Sequence, residues 1–295
     1  MDSNTLITKG EKDYELLDSG AGSKLERFGE YILARPDPEA IWRKFLPEAE
    51  WKKADAFFTR TGNKSAWHLS KELPKEWNMR FSGFDFLIKP TSFKHVGLFP
   101  EQKSNWLFIE SAVKSQMSIV KSKPVRVLNL FAYTGGATLA AARAGAEVVH
   151  LDGSKSAVSW ARENAKLSGL SDKSIRWITE DALSFVKKEA KRGNRYDAII
   201  MDPPAFGHGP DNELWKIEKN LPELLAACFS ILSDAPIFFL INGYTAGYSP
   251  TAYKNALLPL IEKFGGKISH GELVIEESSE KRLLPAGIFA RWERG

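Results

Sequence analysis

The second half of the sequence alternates short apolar runs with segments of helical length, and this alternation constrains the fold more than any other feature. The apolar runs are rich in β-branched and aromatic residues and lack polar alternation, which is typical of strands covered on both faces. Repeated strand, helix and strand units predict a parallel sheet in a doubly wound α/β domain. The predicted strands are residues 126–132, 147–152, 175–179, 196–202 and 236–242, and the predicted helices are 136–144, 155–168, 181–192, 213–232 and 250–264.

The residues after Gly265 break this alternation. Two strand-like runs, "KISHGELVIEES" and "GIFARWERG", follow each other without a long helix between them. A parallel neighbour needs a long crossover connection, usually a helix, whereas an antiparallel neighbour does not. We therefore expect these runs to close the sheet with an antiparallel edge.

The first hundred residues have a different pattern. A hairpin signal surrounds Asp18-Ser19-Gly20 in "YELLDSGAGSKLERFGEYILARP". Further strand candidates are "ADAFFTR", "SAWHLS", "WNMRF" and "FDFLIKP", and "EAIWRKF" after Pro38 is a candidate helix. The predicted organisation is a small β-rich, substrate-recognising domain over residues 1–95, a linker and helix over 96–123, and the α/β domain over 124–295.

Composition narrows the class of protein. The chain has 295 residues, of which 43% are hydrophobic, which suffices for one large core and a smaller one. No apolar run reaches the roughly 18 to 20 residues that span a bilayer, and the polar first residues differ from a secretory signal. A single cysteine, Cys228, cannot form an internal disulfide or a multi-cysteine zinc site. We expect a cytoplasmic protein with no metal and no membrane partner, and a net charge of +4 permits an RNA partner without requiring one.

A glycine-containing turn follows the first strand of the α/β domain, in "NLFAYTGGATLAA" (129–141). A turn that leads into a helix offers free backbone N–H groups to a polar or anionic ligand. Gly135 and Gly136 would let such a ligand approach the backbone. The same pattern also fits an ordinary strand-to-helix turn.

Acidic residues end the next two predicted strands. Asp152 is placed to accept both hydroxyls of a ribose, although Asp152 or Ser154 could instead cap the following helix. Asp181 could accept a hydrogen bond from an adenine amino group beside the Ala182 N–H, or could cap its own helix. Together these positions describe an adenosine pocket across the carboxyl ends of the strands.

The type of cofactor follows from what the glycine loop lacks. A nicotinamide dinucleotide requires G-x-G-x-x-G, and a Walker loop requires G-x-x-x-x-G-K-[ST]. Neither motif occurs in the sequence. A nucleoside cofactor without phosphates fits better, and S-adenosylmethionine is the obvious one.

Four segments, in this order and spacing, resemble the class I S-adenosylmethionine-dependent methyltransferases: "VLNLFAYTGG", "LDGSKSAVSWARENAKLSGL", "EDA" and "MDPPAF". Within that class they resemble the branch that includes bacterial 23S ribosomal RNA large-subunit methyltransferases acting on cytosine C5 or guanine N7. That branch has N-x-F-x-Y-T-G-G and D-P-P-x-F, and "HVGLFPEQKSNW" (95–106) resembles the segment that precedes its methyltransferase domain. The resemblance implies a Rossmann-like seven-stranded sheet whose last strand is antiparallel.

The resemblance also implies roles for individual residues. The cofactor loop would comprise Asn129, Phe131, Ala132, Tyr133, Thr134, Gly135 and Gly136. The ribose would bind at Asp152, Gly153 and Ser154, and adenine at Asp181 and Ala182. Phe99, Gln102 and Trp106 would cover the cofactor. The residues that face the transferred methyl group would be Asp202, Pro203, Pro204 and Phe206.

The chemistry of the last segment suits an amino group on a nucleic-acid base. Asp202 and a carbonyl of the proline pair can accept the N–H protons and aim the nitrogen lone pair at the methyl group. Phe206 can stack on the base, and the prolines keep the segment out of a sheet ladder. Because a base inside a duplex cannot reach such a pocket, the target must be exposed or flipped out.

Cys228 departs from the pattern of the cytosine-modifying relatives, which carry a cysteine after the fifth strand. Methylation of cytosine C5 needs a thiolate adduct on the ring. Cys228 instead belongs to an apolar stripe with helical spacing: Leu224, Leu225, Cys228, Ile231 and Leu232. We therefore expect a structural cysteine and a nitrogen or oxygen acceptor, and the leading hypothesis is a nitrogen of a ribosomal RNA base. A protein or small-molecule substrate, and a non-catalytic cofactor-binding module, are the alternatives.

Two regions have open interpretations. Residues 207–213 and His208 suggest a mobile lid, in which His208 is a general base or merely solvated. In the N-terminal region, six residues could contact RNA or could form the core and surface of a β domain: Arg27, Arg35, Trp42, Arg43, Lys44 and Trp51. The sequence gives no indication of the oligomeric state.

Overall fold

The structure is a computed structural model that describes residues 4–61, 64–119, 123–209, 214–244 and 247–295. Its internal contacts divide the chain into two compact units. The α/β unit comprises Met1–Leu6, Ser104–Glu272 and Gly287–Gly295, and the β-rich unit comprises Ile7–Lys103 and Leu273–Ala286. The predicted function of residues 1–95 as a separate recognition domain stays a prediction.

The N-terminal part of the chain is built mainly of strands. Its elements are β1 (Asn4–Thr8), β2 (Tyr14–Gly20), β3 (Ser23–Phe28), β4 (Tyr31–Pro36), α1 (Glu48–Trp51), β5 (Ala56–Thr61), β6 (Lys64–Leu69), β7 (Trp77–Phe81) and β8 (Phe84–Ile88). The candidate helix in "EAIWRKF" is wrong: those residues are irregular, and the short helix α1 begins only after Pro47.

The rest of the chain alternates strands and helices as predicted. After a 3-10 turn (Pro100–Gln102), the elements are α2 (Lys103–Ile119), β9 (Arg126–Leu130), α3 (Gly136–Arg143), β10 (Glu147–Asp152), α4 (Lys155–Leu167), β11 (Ile175–Thr179), α5 (Ala182–Lys191), β12 (Ala198–Met201), β13 (Phe206–His208), β14 (Leu214–Lys216), α6 (Ile217–Ser230), β15 (Phe238–Gly243), α7 (Pro250–Ala256), α8 (Leu258–Phe264), β16 (Lys267–Glu276) and β17 (Leu283–Glu293).

Two predicted helices differ from the observed elements. The helix predicted over residues 213–232 begins as strand β14 and becomes helical only at Ile217. The helix predicted over 250–264 is divided at Leu257 into α7 and α8, because Pro259 lies in the first turn of α8, where its missing N–H is tolerated.

The large sheet has eight strands in the order β1-β16-β17-β15-β12-β9-β10-β11. β9 pairs in parallel with β10 and β12, β10 with β11, and β12 with β15. β17 runs antiparallel to β15, which confirms the antiparallel edge. The α/β fold is thus confirmed, with β1 as an additional strand that the sequence did not predict.

The central strands are buried as their apolar sequences require. All four residues of β12 and all six residues of β15 are buried. Cys228 is also fully buried, in the same apolar core. The predicted stripe is confirmed, because Leu224, Leu225, Cys228, Ile231 and Leu232 are all buried.

The β-rich unit contains a five-stranded sheet in the order β2-β3-β4-β5-β6 and the separate hairpin β7-β8. Two of the side chains predicted to contact RNA instead interact within the unit. The Arg35 guanidinium pairs with the buried Glu26 carboxylate, and the Trp51 indole N–H donates to Asp18 Oδ2 at 2.8 Å. These two side chains therefore stabilise the unit, which favours the structural interpretation for them.

Among the residues with described positions, no helix combines the length and apolar character needed to cross a membrane.

Candidate functional site

The parallel strands of the α/β unit bring the predicted site residues to one edge of the sheet. Leu130 of β9 lies beside Leu151 of β10 and Met201 of β12, and each of these residues stands at or next to the carboxyl end of its strand. The segments that follow, residues 131–136 and 202–206, therefore leave the sheet side by side. Ligands of open α/β sheets bind at this edge.

Asn129 of the predicted cofactor loop belongs to β9, and the part that follows the strand, residues 131–136, is called the cofactor loop from here on; its backbone is unusual. Phe131 and Tyr133 have φ values of 55° and 46°, and Gly135 has a φ of 90°. Left-handed φ values in non-glycine residues cost about 1–3 kcal/mol each and cluster at functional sites. The loop therefore needs other interactions that hold it in this conformation.

Three hydrogen bonds to two neighbouring elements, β10 and α4, supply that restraint. The Ala132 N–H donates to the Leu151 carbonyl at 3.0 Å, and the Tyr133 N–H donates to Asp152 Oδ2 at 2.9 Å. The Asn164 side chain on α4 donates to the Thr134 carbonyl at 2.9 Å. The loop is consequently fixed to β10 and α4.

Asn129 lies beneath this loop. Its amide donates to Thr138 Oγ1 at 2.9 Å, and the same oxygen contacts His150 Nδ1 at 2.9 Å. All three side chains are buried. Burial lowers the pKa of His150 to about 3, so the imidazole is neutral near pH 7. This buried network supports the loop from the side of the core.

The Trp106 ring lies so close to the backbone at position 136 that only glycine fits there. A β-carbon at Gly136 would lie 2.3 Å from the Trp106 ring, which is closer than any side chain allows. Trp106 is itself buried on α2. The structure thus places Trp106 against the cofactor loop.

Asp152 accepts one backbone hydrogen bond on each carboxylate oxygen. Besides Tyr133, the Ser154 N–H donates to Asp152 Oδ1 at 2.8 Å. The cap of α4 is Ser154, whose hydroxyl accepts from the Ala157 N–H. Burial raises the pKa of Asp152, and the two N–H groups partly oppose that rise. Each oxygen keeps acceptor capacity for a hydroxyl of a ligand.

Asp181 caps helix α5. Its Oδ1 accepts from the Ser184 N–H at 2.8 Å. Ala182 is the first helical residue and is buried. Asp181 therefore acts as the helix cap, and this hydrogen bond involves only one of its two carboxylate oxygens.

Two other predicted cofactor contacts lie outside the α/β unit. Phe99 belongs to the β-rich unit, where its ring lies 5.3 Å from that of His95, and Gln102 is buried in the 3-10 turn before α2. Their contact with a cofactor stays a prediction.

The acceptor segment, residues 202–206, follows β12. The Trp215 indole N–H donates to the Pro204 carbonyl at 2.6 Å, so this carbonyl is already engaged. Because a carbonyl oxygen can accept a second hydrogen bond, the acceptor role of the proline pair stays a prediction. Phe206 is 56% exposed, as a stacking surface requires.

Trp215 is a further candidate site residue that the sequence pattern did not indicate. Its ring lies 5.0 Å from that of Phe131, so it packs between the acceptor segment and the cofactor loop. It belongs to a hairpin in which Phe206 pairs with Lys216 and Gly207 with Trp215. Strands of three residues are too short to show a sequence pattern, and the single signal was an apolar residue in a predicted helix.

The hairpin also changes the interpretation of the predicted lid. Residues 206–208 and 214–216 form paired strands, whereas residues 210–213 lie outside the described part of the chain. The predicted role of His208 as a base is not tested.

Comparison with known proteins identifies the family. Residues 59–243, more than half of the chain, match the S-adenosylmethionine-dependent methyltransferase family. The chain belongs to this family. The SAM-dependent methyltransferase from Agrobacterium tumefaciens is 40% identical, with a TM-score of 0.93 over 99% of this chain and 94% of that protein. A candidate methyltransferase complexed with SAH shares the fold at 17% identity, with a TM-score of 0.69 over 95% of this chain and 75% of that protein.

Curated relatives match a shorter stretch of this methyltransferase. Ribosomal RNA large subunit methyltransferase K/L of Shewanella frigidimarina is 36% identical over 129 residues, 43% of this chain and 18% of the relative. Ribosomal RNA large subunit methyltransferase I of Aeromonas salmonicida is 42% identical over 148 residues, 50% of this chain and 32% of the relative. The match thus spans a third or less of the length of these relatives.

The residues present fit S-adenosylmethionine, the cofactor of the family. The cofactor loop is held in a fixed conformation, and the Asp152 carboxylate has acceptor capacity beside it. Within the described ranges, no three His, Cys, Asp or Glu side chains are grouped as metal ligands.

Proposed function

We propose that this methyltransferase modifies a base of ribosomal RNA, at a nitrogen atom rather than at cytosine C5. The relatives that are named as ribosomal RNA methyltransferases support RNA as the substrate. The choice of nitrogen rests on the chain's own residues.

The observation that carries the nitrogen proposal is the burial of Cys228. It is the single cysteine of the sequence, and its side chain is fully buried in the apolar core on α6. Burial raises the pKa of its thiol well above the ordinary value, which disfavours the thiolate. Because attack on cytosine C6 requires a thiolate in contact with the base, Cys228 is unsuited to that role.

The acceptor segment offers what a nitrogen nucleophile needs instead. Bound S-adenosylmethionine supplies the methyl group on its sulfonium. Asp202 and a carbonyl of the proline pair accept hydrogen bonds from the N–H groups of the amino group and orient its lone pair. Transfer of this kind depends on orientation and electrostatics rather than on a covalent intermediate.

Phe206 provides the surface on which the base stacks. Its ring is exposed, and stacking on an aromatic side chain is a common way to hold an unpaired base. The hydrogen bond from Trp215 to the Pro204 carbonyl fixes the backbone between Asp202 and Phe206. The base must be unpaired or flipped to reach these groups.

We further propose that residues 1–95 contribute to substrate recognition. Arg43 is exposed, whereas Arg35 and Trp51 are buried and hydrogen-bonded within the unit. Arg43 is therefore a better candidate for a phosphate contact than either of those two side chains.

Mass spectrometry of nucleosides tests the proposal. We expect one N-methylated nucleoside to disappear from the ribosomal RNA of cells that lack the gene. The purified protein should restore that nucleoside on the undermodified RNA in the presence of S-adenosylmethionine. If no nucleoside changes and the purified protein methylates no deproteinised RNA, RNA must be abandoned as the substrate. Formation of 5-methylcytosine by the purified protein would overturn only the nitrogen proposal.

A further inference from the structure

Tyr253 has a buried hydroxyl group that makes no hydrogen bond within the described residues. The residue lies on α7, is 1% exposed and belongs to the core of the α/β unit. Its hydroxyl oxygen is buried and has no hydrogen-bond partner among the described residues. A buried polar group without a partner costs about 1–3 kcal/mol, so a phenylalanine would serve a purely structural role better.

The position of this hydroxyl places it at the functional edge of the sheet. A β-carbon on Gly243 would lie 2.2 Å from the Tyr253 oxygen, and Gly243 is the last residue of β15. β15 pairs in parallel with β12, with Ile241 opposite Met201. Asp202, the next residue after Met201, therefore emerges beside the end of β15.

The charge of Asp202 acts on Tyr253. Burial is the main reason why the pKa of Tyr253 lies above its ordinary value, and the Asp202 carboxylate is the second reason. The inner carboxylate oxygen, Oδ1, is buried like the tyrosine hydroxyl. A tyrosine O–H and a carboxylate are a natural donor and acceptor pair.

We propose that Tyr253 is a positioning residue whose hydroxyl donates a hydrogen bond to the Asp202 carboxylate when the acceptor base binds. Catalytic hydrogen bonds are often long or poorly aligned in the free protein and tighten only in the complex. The bond holds the inner oxygen of Asp202, so that the outer oxygen faces the amino group of the base. This inference rests on the proposed function of Asp202.

Tyr253→Phe tests the inference, with Tyr196→Phe as the matched control. Tyr196 is also buried, but its hydroxyl donates to Glu189 Oε2 at 2.6 Å, and it precedes β12 at the end opposite to Asp202. Tyr196→Phe should lower the Tm and leave kcat unchanged. Tyr253→Phe should leave the Tm unchanged or raise it, and should lower kcat about tenfold.

Two further measurements distinguish positioning from a general structural defect. The Kd for S-adenosylmethionine, measured by isothermal titration, should be the same in Tyr253→Phe and the wild type. The acidic limb of the kcat profile should move to higher pH in the variant, because loss of a hydrogen bond to a carboxylate raises its pKa.

The outcomes separate this inference from the proposed substrate. The role of Tyr253 would be overturned if Tyr253→Phe kept the wild-type kcat and the wild-type pH dependence of kcat. It would also be overturned if Tyr253→Phe lost as much Tm as Tyr196→Phe. If the wild type itself transfers no methyl group to RNA, the proposed function fails. The inference is then decided by the Tm values alone: no loss on Tyr253→Phe supports a hydroxyl reserved for a ligand, and a loss like that of Tyr196→Phe rejects it.

Discussion

The two halves of the site are built in different ways. The cofactor loop has left-handed backbone at Phe131 and Tyr133 and is held by hydrogen bonds from β10 and α4. The acceptor segment is more open, because Pro204 and Phe206 are exposed, although the Trp215 indole donates to the Pro204 carbonyl and the Ile217 N–H donates to the Ala205 carbonyl.

This difference corresponds to the two ligands we assign to the site. A small cofactor that binds in one conformation benefits from a loop whose strained backbone is fixed in advance. A base that belongs to a large RNA must enter and leave, so its stacking surface needs exposure. We therefore expect changes in the cofactor half to affect folding and cofactor affinity together, and changes in the acceptor half to affect transfer alone.

Asp202→Asn should give the largest loss of kcat, with little change in cofactor affinity. The substitution keeps the size of the side chain but replaces one acceptor oxygen with a donor, so the amino group of the base loses its partner. We expect kcat to fall by about 10²- to 10⁴-fold, a typical loss for a proton-accepting group. The Kd for S-adenosylmethionine should stay within about tenfold of the wild-type value. Transfer of a radiolabelled methyl group measures kcat, and isothermal titration measures the Kd for S-adenosylmethionine. A variant with full turnover would remove Asp202 from the mechanism.

Gly136→Ala and Gly207→Ala compare the two halves directly. The new β-carbon at Gly136 would lie 2.3 Å from the Trp106 ring, whereas at Gly207 the nearest atom is Pro204 Cγ at 3.7 Å. Overpacking of a buried site costs about 1–3 kcal/mol. Gly136→Ala should therefore lower both the Tm and the affinity for S-adenosylmethionine, and Gly207→Ala should change neither. Equal Tm values for the two variants would contradict the rigid packing of the cofactor loop.

Phe206→Ala should produce a smaller effect that is confined to the substrate. The ring is 56% exposed, so the free energy of unfolding should change by no more than about 0.5 kcal/mol. Loss of base stacking should raise the KM for RNA about tenfold, since one stacked base contributes about 1–3 kcal/mol. Phe206→Tyr keeps the aromatic face and should restore the KM. A similar rise in both variants would show that stacking is not the function of this ring.

Cys228→Ala should have the smallest effect on transfer. Removal of the buried sulfur leaves a small cavity, which should lower the free energy of unfolding by about 1 kcal/mol. We expect kcat to remain within about twofold, because nitrogen methylation needs no thiolate. Complete loss of transfer, with folding and cofactor binding intact, would instead make Cys228 a catalytic residue.

Much of the α/β unit could be predicted because its signals are local. The apolar runs that became β9, β10, β11, β12 and β15 reflect burial on both faces of a sheet, and each run carries that signal by itself. Their order also placed the loop residues, Asp152 and Asp202 at one edge, since parallel strands share their carboxyl end. The roles expected of these residues came from the resemblance of the segments to a methyltransferase family, and these roles stay predictions.

The sequence by itself determined the five parallel strands of the sheet, the edge at which the loops of these strands meet, and that Cys228 faces the core. Only the tertiary structure decided which groups at this edge already have hydrogen-bond or packing partners. The Pro204 carbonyl bonds to a Trp215 indole in a short hairpin, Trp106 excludes a side chain at Gly136, and the Tyr253 hydroxyl is placed at the end of β15. These contacts join residues far apart in the chain, and they depend on the packing of several elements together. A local pattern of apolar and polar residues specifies which face is buried, but it does not specify the partner that a buried group meets.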